Sequence, residues 1–279
     1  MNDSIHILNN GKHIPKVGLG VYKITEEDMY DSIKSALEAG YRLFDTAFMY
    51  DNEKELGQAL KDLGVQRDEV FITTKIWNDY QGYDSTLTYF NKSLDNLGMD
   101  YVDLILVHWP CEKNGKYIET YKALEHLCGE GKAKSIGVAN FKPHHIDKLI
   151  EQTEIIPQVN QIECHPYFNQ QETQDYCDQN DIAVQAWMPI MRNRGLLDDE
   201  VIVELAEKYG KTPAQVVLRW HIEHGRLVIP KSKTKERIEE NINIFNFSLE
   251  EADIERIDNL NKDIRQGKDP DKISIGDLK

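Results

Sequence analysis

The chain has 279 residues, 40% of them apolar, with 33 basic side chains against 48 acidic ones and a formal net charge of −15. That is enough length and apolar content for one large domain or two small ones with a substantial core. The charge repels nucleic acid and anionic membrane surfaces, and no apolar run approaches membrane-spanning length.

The amino terminus, MNDSIHILNNGKHIP, has neither a basic n-region nor an apolar h-region, so no secretory signal is expected. IHIL and KHIP around the turn NNG predict a small hairpin. Short apolar strands then alternate with charged, helical stretches. The strands are expected at 17–22 (VGLGVY), 41–47 (YRLFDTA), 70–76 (VFITTKI) and 102–109 (VDLILVHW), and then at 134–140 (KSIGVAN), 157–163 (PQVNQIE), 183–189 (AVQAWMP) and 226–232 (RLVIPKS). EEDMYDSIKSALEAG, ETYKALEHLCGEGK and KPHHIDKLIEQTE are among the helical spacers, and KERIEENINIF follows the last strand. Strands separated by helices pair in parallel, and near-continuous apolar runs such as VDLILV suit strands covered on both faces. Eight such units predict an α/β fold, a (β/α)8 or TIM barrel, as a single domain over 1–279 with an N-terminal β-hairpin. A doubly wound open sheet is the runner-up, weakened because GLGVYK stands where GxGxxG would follow the first strand. Thr212-Pro213 predicts a capped helix start. Ser248 with Glu251 predicts a capping box opening an extra C-terminal helix, SLEEADIERIDNLN.

The four cysteines, Cys111, Cys128, Cys164 and Cys177, have no CxxC or metal spacing, which fits a reducing, cytoplasmic setting. His221 and His224 in HIEH read better as a helix face than as zinc ligands, since no third ligand lies nearby in sequence. No metal is expected.

In a parallel barrel, chemistry gathers at the C-terminal ends of the strands. Those ends carry Asp45, with Tyr50 in the loop after it, then Lys75, His108, Asn140, Gln161 and Lys231. Each has a plainer reading. Lys75 could be a solvated strand end, Asn140 a helix cap, Gln161 and Glu163 loop polars, and His108 beside Trp109-Pro110 a core histidine. Together they describe a relay. A phenol with a reference pKa of about 10 exchanges protons poorly at neutral pH. An ammonium from Lys75, held by Asp45, would lower that value and make Tyr50 a general acid/base. A neutral His108 would orient a carbonyl oxygen. With no strong nucleophile and no metal ligands, the set suits protonating a carbonyl oxygen while a hydride donor, hence a nicotinamide cofactor, attacks the carbon.

FDTAFMYDNE, FITTKIW, LILVHWP, IGVANF, NQIECHP and IPKSKTKERIEEN, in this order over nearly the whole chain, resemble the aldo-keto reductase superfamily. The similarity is closest to its short bacterial members, of the diketogluconate- and glyoxal-reducing kind. The resemblance implies NADPH lying across the barrel mouth and NADPH-dependent reduction of small aldehydes and ketones, with Asp45, Tyr50, Lys75 and His108 as the catalytic set. It implies cofactor contacts from Val21, Tyr22, Asn140, Gln161 and Trp187. Lys231, Ser232, Lys233, Thr234 and Arg237 would serve the adenosine 2′-phosphate, with Glu240 and Asn241 near the adenine. It also favours a monomer. Two positions depart from the family pattern: Ala139 replaces a serine in GVSNF, and Met188 replaces a serine in AYSPL, each removing a hydroxyl aimed at the cofactor. The plainer reading of KSKTKERIEE is a solvated helix start.

Tyr22, Met49, Trp77 and Trp109 are expected to line the substrate pocket, with rim packing as the alternative for the two tryptophans. The short WPCEKNGKY connection and the brief polar tail after Asn261 predict an open site for small carbonyls such as methylglyoxal-like dicarbonyls or keto-sugars. A non-enzymatic NADPH-binding redox sensor, a regulatory subunit with little turnover, is the competing function.

Overall fold

A computed structural model describes residues 4–277. β1 (Ile5–Ile7) and β2 (His13–Pro15) form the expected antiparallel hairpin, with Gly11 at φ +79 completing its turn. Eight parallel strands follow: β3 (Leu19–Gly20), β4 (Leu43–Asp45), β5 (Phe71–Ile76), β6 (Val102–Val107), β7 (Ala133–Ala139), β8 (Val159–Glu163), β9 (Ala183–Trp187) and β10 (Leu227–Val228). Their spatial order is their chain order. The ring closes where Val17 bridges Val228 in parallel, with Val228 N donating to Lys16 O at 2.8 Å and Gly18 N to Val228 O at 2.9 Å. Closure leaves the eight-stranded sheet without a free edge among the described residues.

The strands alternate between two faces. Leu43, Phe71, Leu104, Val159, Ala183 and Leu227 form one inner apolar cluster, together with Leu8 and Ile14 from the hairpin. The hairpin therefore plugs the N-terminal end. There Asn9 donates to Pro157 O and Asp181 O, and Asn10 to Ser135 Oγ, all at or just before strand starts. Two residues further along the same inward face stand Asp45, Thr73, Leu106, Gln161, Gln185 and Ile229. The lumen thus turns polar toward its C-terminal end.

Helices α1 (Glu26–Ala39), α2 (Glu53–Asp62), α3 (Tyr83–Leu97), α4 (Tyr117–Gly129), α5 (Pro143–Ile150) and α6 (Gln171–Gln179) each follow one strand. Between β9 and β10 the chain forms two helices, α7 (Glu200–Tyr209) and α8 (Pro213–Glu223), where one spacer was expected. α8 begins as predicted: Thr212 Oγ1 accepts from Gln215 N and Pro213 occupies the first turn. α9 (Lys235–Ile242) follows β10, and α10 (Glu251–Asp258) is the additional C-terminal helix. The Ser248 capping box does not form. Leu249 N donates to Glu223 Oε1 and Glu250 N to Tyr209 Oη, which holds these residues extended against α7 and α8 and delays the helix to Glu251. His221 and His224 diverge as a helix-face reading requires: His221 is buried against Pro189 O and His224 meets the Asp258 carboxylate. No helix among the described residues is long and apolar enough to cross a membrane.

α2 and α3 pack closely at Gly57, where an added Cβ would lie 2.1 Å from Leu97 O. Alanine would add about 1 kcal/mol of helix propensity. The collision is with backbone, so Gly57→Ala is expected to destabilise by about 1–3 kcal/mol net. Urea unfolding measures this, and an unchanged midpoint would mean that the helices can slide apart freely.

Candidate active site

β4 ends at Asp45, and a single 3-10 turn, Phe48–Tyr50, follows. Asp51 at φ +53 ends that turn and α2 begins at Glu53. This short path returns the Tyr50 ring over the barrel mouth. Glu53 does not join it: its carboxylate accepts from Thr74 Oγ1 at 2.6 Å and Asn96 Nδ2 at 3.0 Å, tying α2 to β5 and α3.

Lys75, on the inward face of β5, is fully buried. Its ammonium donates to Asp45 Oδ1 at 2.6 Å, to Thr46 O at 2.8 Å and to Tyr50 Oη at 3.4 Å. All three of its protons have acceptors. Asp45 Oδ2 accepts from Gln161 Nε2 at 2.8 Å, and the same amide nitrogen donates to Gln185 Oε1 at 2.7 Å. A continuous chain thus runs from the buried Gln185, Gln161, Asp45 and Lys75 to the half-buried Tyr50. Gln185 was not anticipated. The available signal is its position as the one polar residue in AVQAW, in register with Gln161 across β8 and β9.

His108 closes the other side, its ring 5.8 Å from Tyr50 and 5.0 Å from Trp77 between centroids, with Tyr22 4.8 Å from Tyr50. Burial, reinforced by the Lys75 cation, pushes His108 well below its ordinary value, so the imidazole is neutral at physiological pH. Tyr50 departs from expectation. Burial first, and then the Asp45 and Tyr22 charges, raise the phenol well above its usual range, against the pull of Arg192. Tyr50 therefore holds its proton firmly. Burial also lowers Lys75, against the pull of Asp45.

The other expected residues divide. Asn140, at φ +64, donates from Nδ2 to His108 O at 2.9 Å and accepts the Trp187 indole N–H at 2.8 Å. Gln161 has both amide protons engaged, which leaves its Oε1 to accept from a ligand. Val21 is placed in the core, its N–H given to Asp45 O and its carbonyl accepting from Asn52, so its side chain does not reach the mouth. Lys231, Lys233, Thr234 and Arg237 are exposed around the start of α9, as a solvated helix start would be, and Ser232 is buried beside Thr234. Lys233 pairs with Asp28 at 2.8 Å. Arg237 has no ion-pair or hydrogen-bond partner among the described residues. Glu240 accepts from Thr212 Oγ1, linking α9 to α8, and Asn241 is buried. Ala139 is fully buried in the lumen, and Met188 adopts φ +55 at the mouth. Left-handed backbone at non-glycine residues costs energy and gathers at functional sites; Lys23, Met191 and Arg192 share it here.

The site is less open than the short tail predicts. Trp77 and Trp109 are buried and pack with Cys111 and with Ile273 from the tail, while Met49 and Tyr80 lie against the same cluster. Ile275 N donates to Asn114 Oδ1 and Gly276 N to Asp79 Oδ1, so the tail crosses the rim to the loops after β5 and β6. Glu163, read as a loop polar, is the fully buried last residue of β8 and holds this tail. Gln185, the buried carboxylate of Glu163 and the rim contact of Ile273 were missed by the sequence reading. Arg192 was missed as well; its guanidinium lies 5.8 Å from the Tyr22 ring centre.

The one His/acid cluster of possible metal-binding type among the described residues is Glu112, His144 and His145, beside α5. His145 Nδ1 accepts the Lys142 N–H at 3.1 Å, which makes Nε2 the protonated nitrogen and removes it as a ligand in the neutral ring. Lys142 and Lys148 already neutralise Asp271 and Glu112.

The closed parallel barrel gathers Asp45, Lys75, Tyr50 and His108 at its C-terminal mouth, and residues 16–262 match the model of the Aldo/keto reductase family. The chain belongs to that family. It is 48% identical over 267 residues to a glyoxal reductase of Bacillus subtilis, covering 95% of this chain and 96% of that one. It is 42% identical to methylglyoxal reductase DkgA of Escherichia coli K12, covering 98% of each. Among solved structures, a point mutant of Gox0644 in complex with NADPH superposes with a TM-score of 0.92 at 40% identity, covering 97% of this chain and 98% of that one.

Removing one partner of a buried ion pair strands the other. Lys75→Met is therefore expected to destabilise by about 3–5 kcal/mol. Asp45→Asn combined with Lys75→Met removes both charges and should cost less than the sum of the two single changes, which a urea-unfolding double-mutant cycle measures. Strict additivity would show that the two groups do not act as a pair.

Proposed function

We propose that the chain is an NADPH-dependent oxidoreductase that reduces small aldehydes and ketones, dicarbonyls of the methylglyoxal type and keto-sugars among them, to alcohols. The observation that carries this reading is the hydrogen-bonded set of Asp45, Lys75 and Tyr50 facing a neutral His108. Residues 1–279 are read as one aldo-keto reductase domain, acting as a monomer in the cytoplasm with no nucleic-acid or membrane partner. The net charge of −15 supports the absence of a nucleic-acid or anionic-membrane partner. The free state of all four cysteines supports the reducing compartment. The sensor alternative gains nothing from relatives that are named as reductases.

The residues present fit NADPH. Partial desolvation first, and then the like charges of Lys233 and Arg192, push the Lys231 ammonium below its ordinary value, against the pull of Asp28. This corner of an acidic chain holds cations in excess of counter-charge, which a phosphate would relieve. Lys231, Ser232 and Arg237 would hold the 2′-phosphate, with Lys233 and Thr234 beside them and Glu240 and Asn241 near the adenine. The free Oε1 of Gln161 and the remaining capacity of Asn140 would meet the carboxamide, and Trp187 the ring. When bound, NADPH supplies the hydride.

The protein's own part is orientation and the proton. His108, being neutral, can donate to the carbonyl oxygen without carrying charge into the pocket. Tyr50 Oη gives its proton to that oxygen as negative charge develops there, and Lys75 beside it stabilises the phenolate left behind. The raised phenol pKa suits this direction because the acid is fully protonated at rest. Met49, Trp77, Trp109 and Ile273, which pack as one cluster, together with Tyr22 beside Tyr50, would bound a small apolar mouth for the rest of the substrate.

Tyr50→Phe should lower kcat for phenylglyoxal reduction by ~10²–10⁴-fold while leaving NADPH binding nearly intact, as expected for loss of a general acid. Reduction by wild type should not decline between pH 6 and 8, because Tyr50 stays protonated and His108 neutral there. Alcohol oxidation needs the phenolate and should rise with pH over the same interval. Retention of more than about a third of kcat by Tyr50→Phe would remove it from the role, since general-acid loss costs far more.

Arg237→Ala should weaken NADPH binding by about 1.5 kcal/mol, the low end for a charge-assisted contact because the side chain is exposed. NADH binding should stay unchanged in the same fluorescence titration. Equal losses for both cofactors would place Arg237 away from the 2′-phosphate.

A further inference from the structure

Outside the relay, the most heavily engaged ionisable group in the lumen is Glu163. It ends β8 in register with Trp187 at the end of β9, and it is fully buried. Oε1 accepts the Gln266 N–H and lies 3.2 Å from His165 Nε2, while Oε2 accepts the Gly267 N–H at 2.7 Å. Two backbone donors, joined by His165 when its proton is on Nε2, thus converge on two oxygens. Only a carboxylate can accept from all of them; a glutamine would turn its own N–H₂ toward a backbone N–H. Burial by itself would raise Glu163, yet the bonds from His165, Gln266 and Gly267 hold it below its ordinary value, so it is charged.

Gly267 passes through a gap no side chain fits. A Cβ there would lie 2.6 Å from Trp187 Cη2 and 2.8 Å from Glu163 Oε2. The tail is therefore pressed onto the indole whose N–H is bound to Asn140. Its side-chain ties on either side are weaker. Lys142 to Asp269 and Asp271, and Arg194 to Gln266, are solvent-accessible contacts of the kind that contribute little. The two backbone bonds to Glu163 are charge-assisted and end on a fully buried carboxylate. Beyond them, Ile273 is carried onto Trp77 and Trp109 at the rim.

We propose that Glu163 is a positioning residue that clamps the C-terminal segment onto Trp187, thereby fixing the indole plane against which the nicotinamide lies and bringing Ile273 onto the substrate mouth. The clamp rests on the reductase reading for its effect on substrate, but its mechanical part is independent of turnover. It selects compact carbonyl substrates by closing the mouth from the tail side.

Glu163→Gln and Gly267→Ala test it from the two sides of the contact. The first removes the acceptor and the second forces the tail off the indole while leaving the carboxylate in place. Arg265, Lys268 and Lys272 make the tail cleavable by trypsin, so limited proteolysis read by mass spectrometry reports its release without any need for catalysis. Both variants should be cut in the tail roughly tenfold faster than wild type, with the barrel intact, the factor expected for losing one charge-assisted contact. Both should bind NADPH about three- to tenfold more weakly by fluorescence titration, on the same scale of loss. KM for phenylglyoxal should rise more than kcat changes. Tails that stay protected in both variants, with unchanged NADPH affinity, would overturn the proposal. So would Glu163→Gln cleaved throughout the chain while Gly267→Ala behaves as wild type, since that result assigns Glu163 to strand stability alone. Wild type that binds NADPH but turns over no carbonyl would instead overturn the reductase reading, and the proteolysis result would still stand.

Discussion

The buried ion pair between Lys75 and Asp45 is the constraint around which the upper half of the barrel is arranged. Two charges inside a protein are costly to desolvate, and their attraction compensates only when every remaining donor and acceptor is used. Here they are used. Thr46 O and Tyr50 take the other ammonium protons, and Gln161 occupies the second carboxylate oxygen and is itself anchored on Gln185. Satisfying the pair fixes the 3-10 turn that carries Tyr50 and the relative register of β4, β5, β8 and β9. The structural requirement and the placement of a proton donor are met by the same set of bonds.

The pair can exist because the lumen changes character along its axis. Inward residues at the N-terminal end are apolar and sealed by the hairpin, which excludes water from below. Those at the other end are polar and bonded to one another. The barrel was legible in the sequence because eight apolar runs with helical spacers admit few topologies, and the relay because its polar residues sit at strand ends. Elements that depend on distant contacts were not legible. Ser248 looks like a cap until Tyr209 and Glu223 hold the next residues extended. α7 lies in a stretch where no strand signal marks a boundary. Glu163 reads as a loop residue unless the tail, about a hundred positions later, is known to return to it. The direction of the Tyr50 shift was missed for a related reason: the cation beside it was visible in sequence, but the depth of burial was not.

Charge is distributed unevenly for a chain this acidic. Lys23 and Arg192 flank the Tyr22 ring, Lys231 beyond β10 feels the Arg192 charge, and none of the three has a carboxylate within ion-pairing distance among the described residues. A local positive field set in a negative surface draws polyanionic small molecules to one end of the molecule and keeps extended polyanions away. Met188 fits the same picture. It lacks the hydroxyl the family pattern offers, yet it stands in a left-handed turn that also delivers Arg192.

The hairpin places the described start of the chain at one pole of the barrel, and the clamped tail places its described end at the other. The two poles differ as points of attachment. A linker or support joined ahead of Ser4 emerges beneath the plugged floor and leaves the mouth facing solvent. One joined beyond Asp277 emerges among the rim loops, beside Asp79 and Asn114, where its bulk pulls on the segment lying over Trp187. For tethering the protein to a surface, the floor is the face to use.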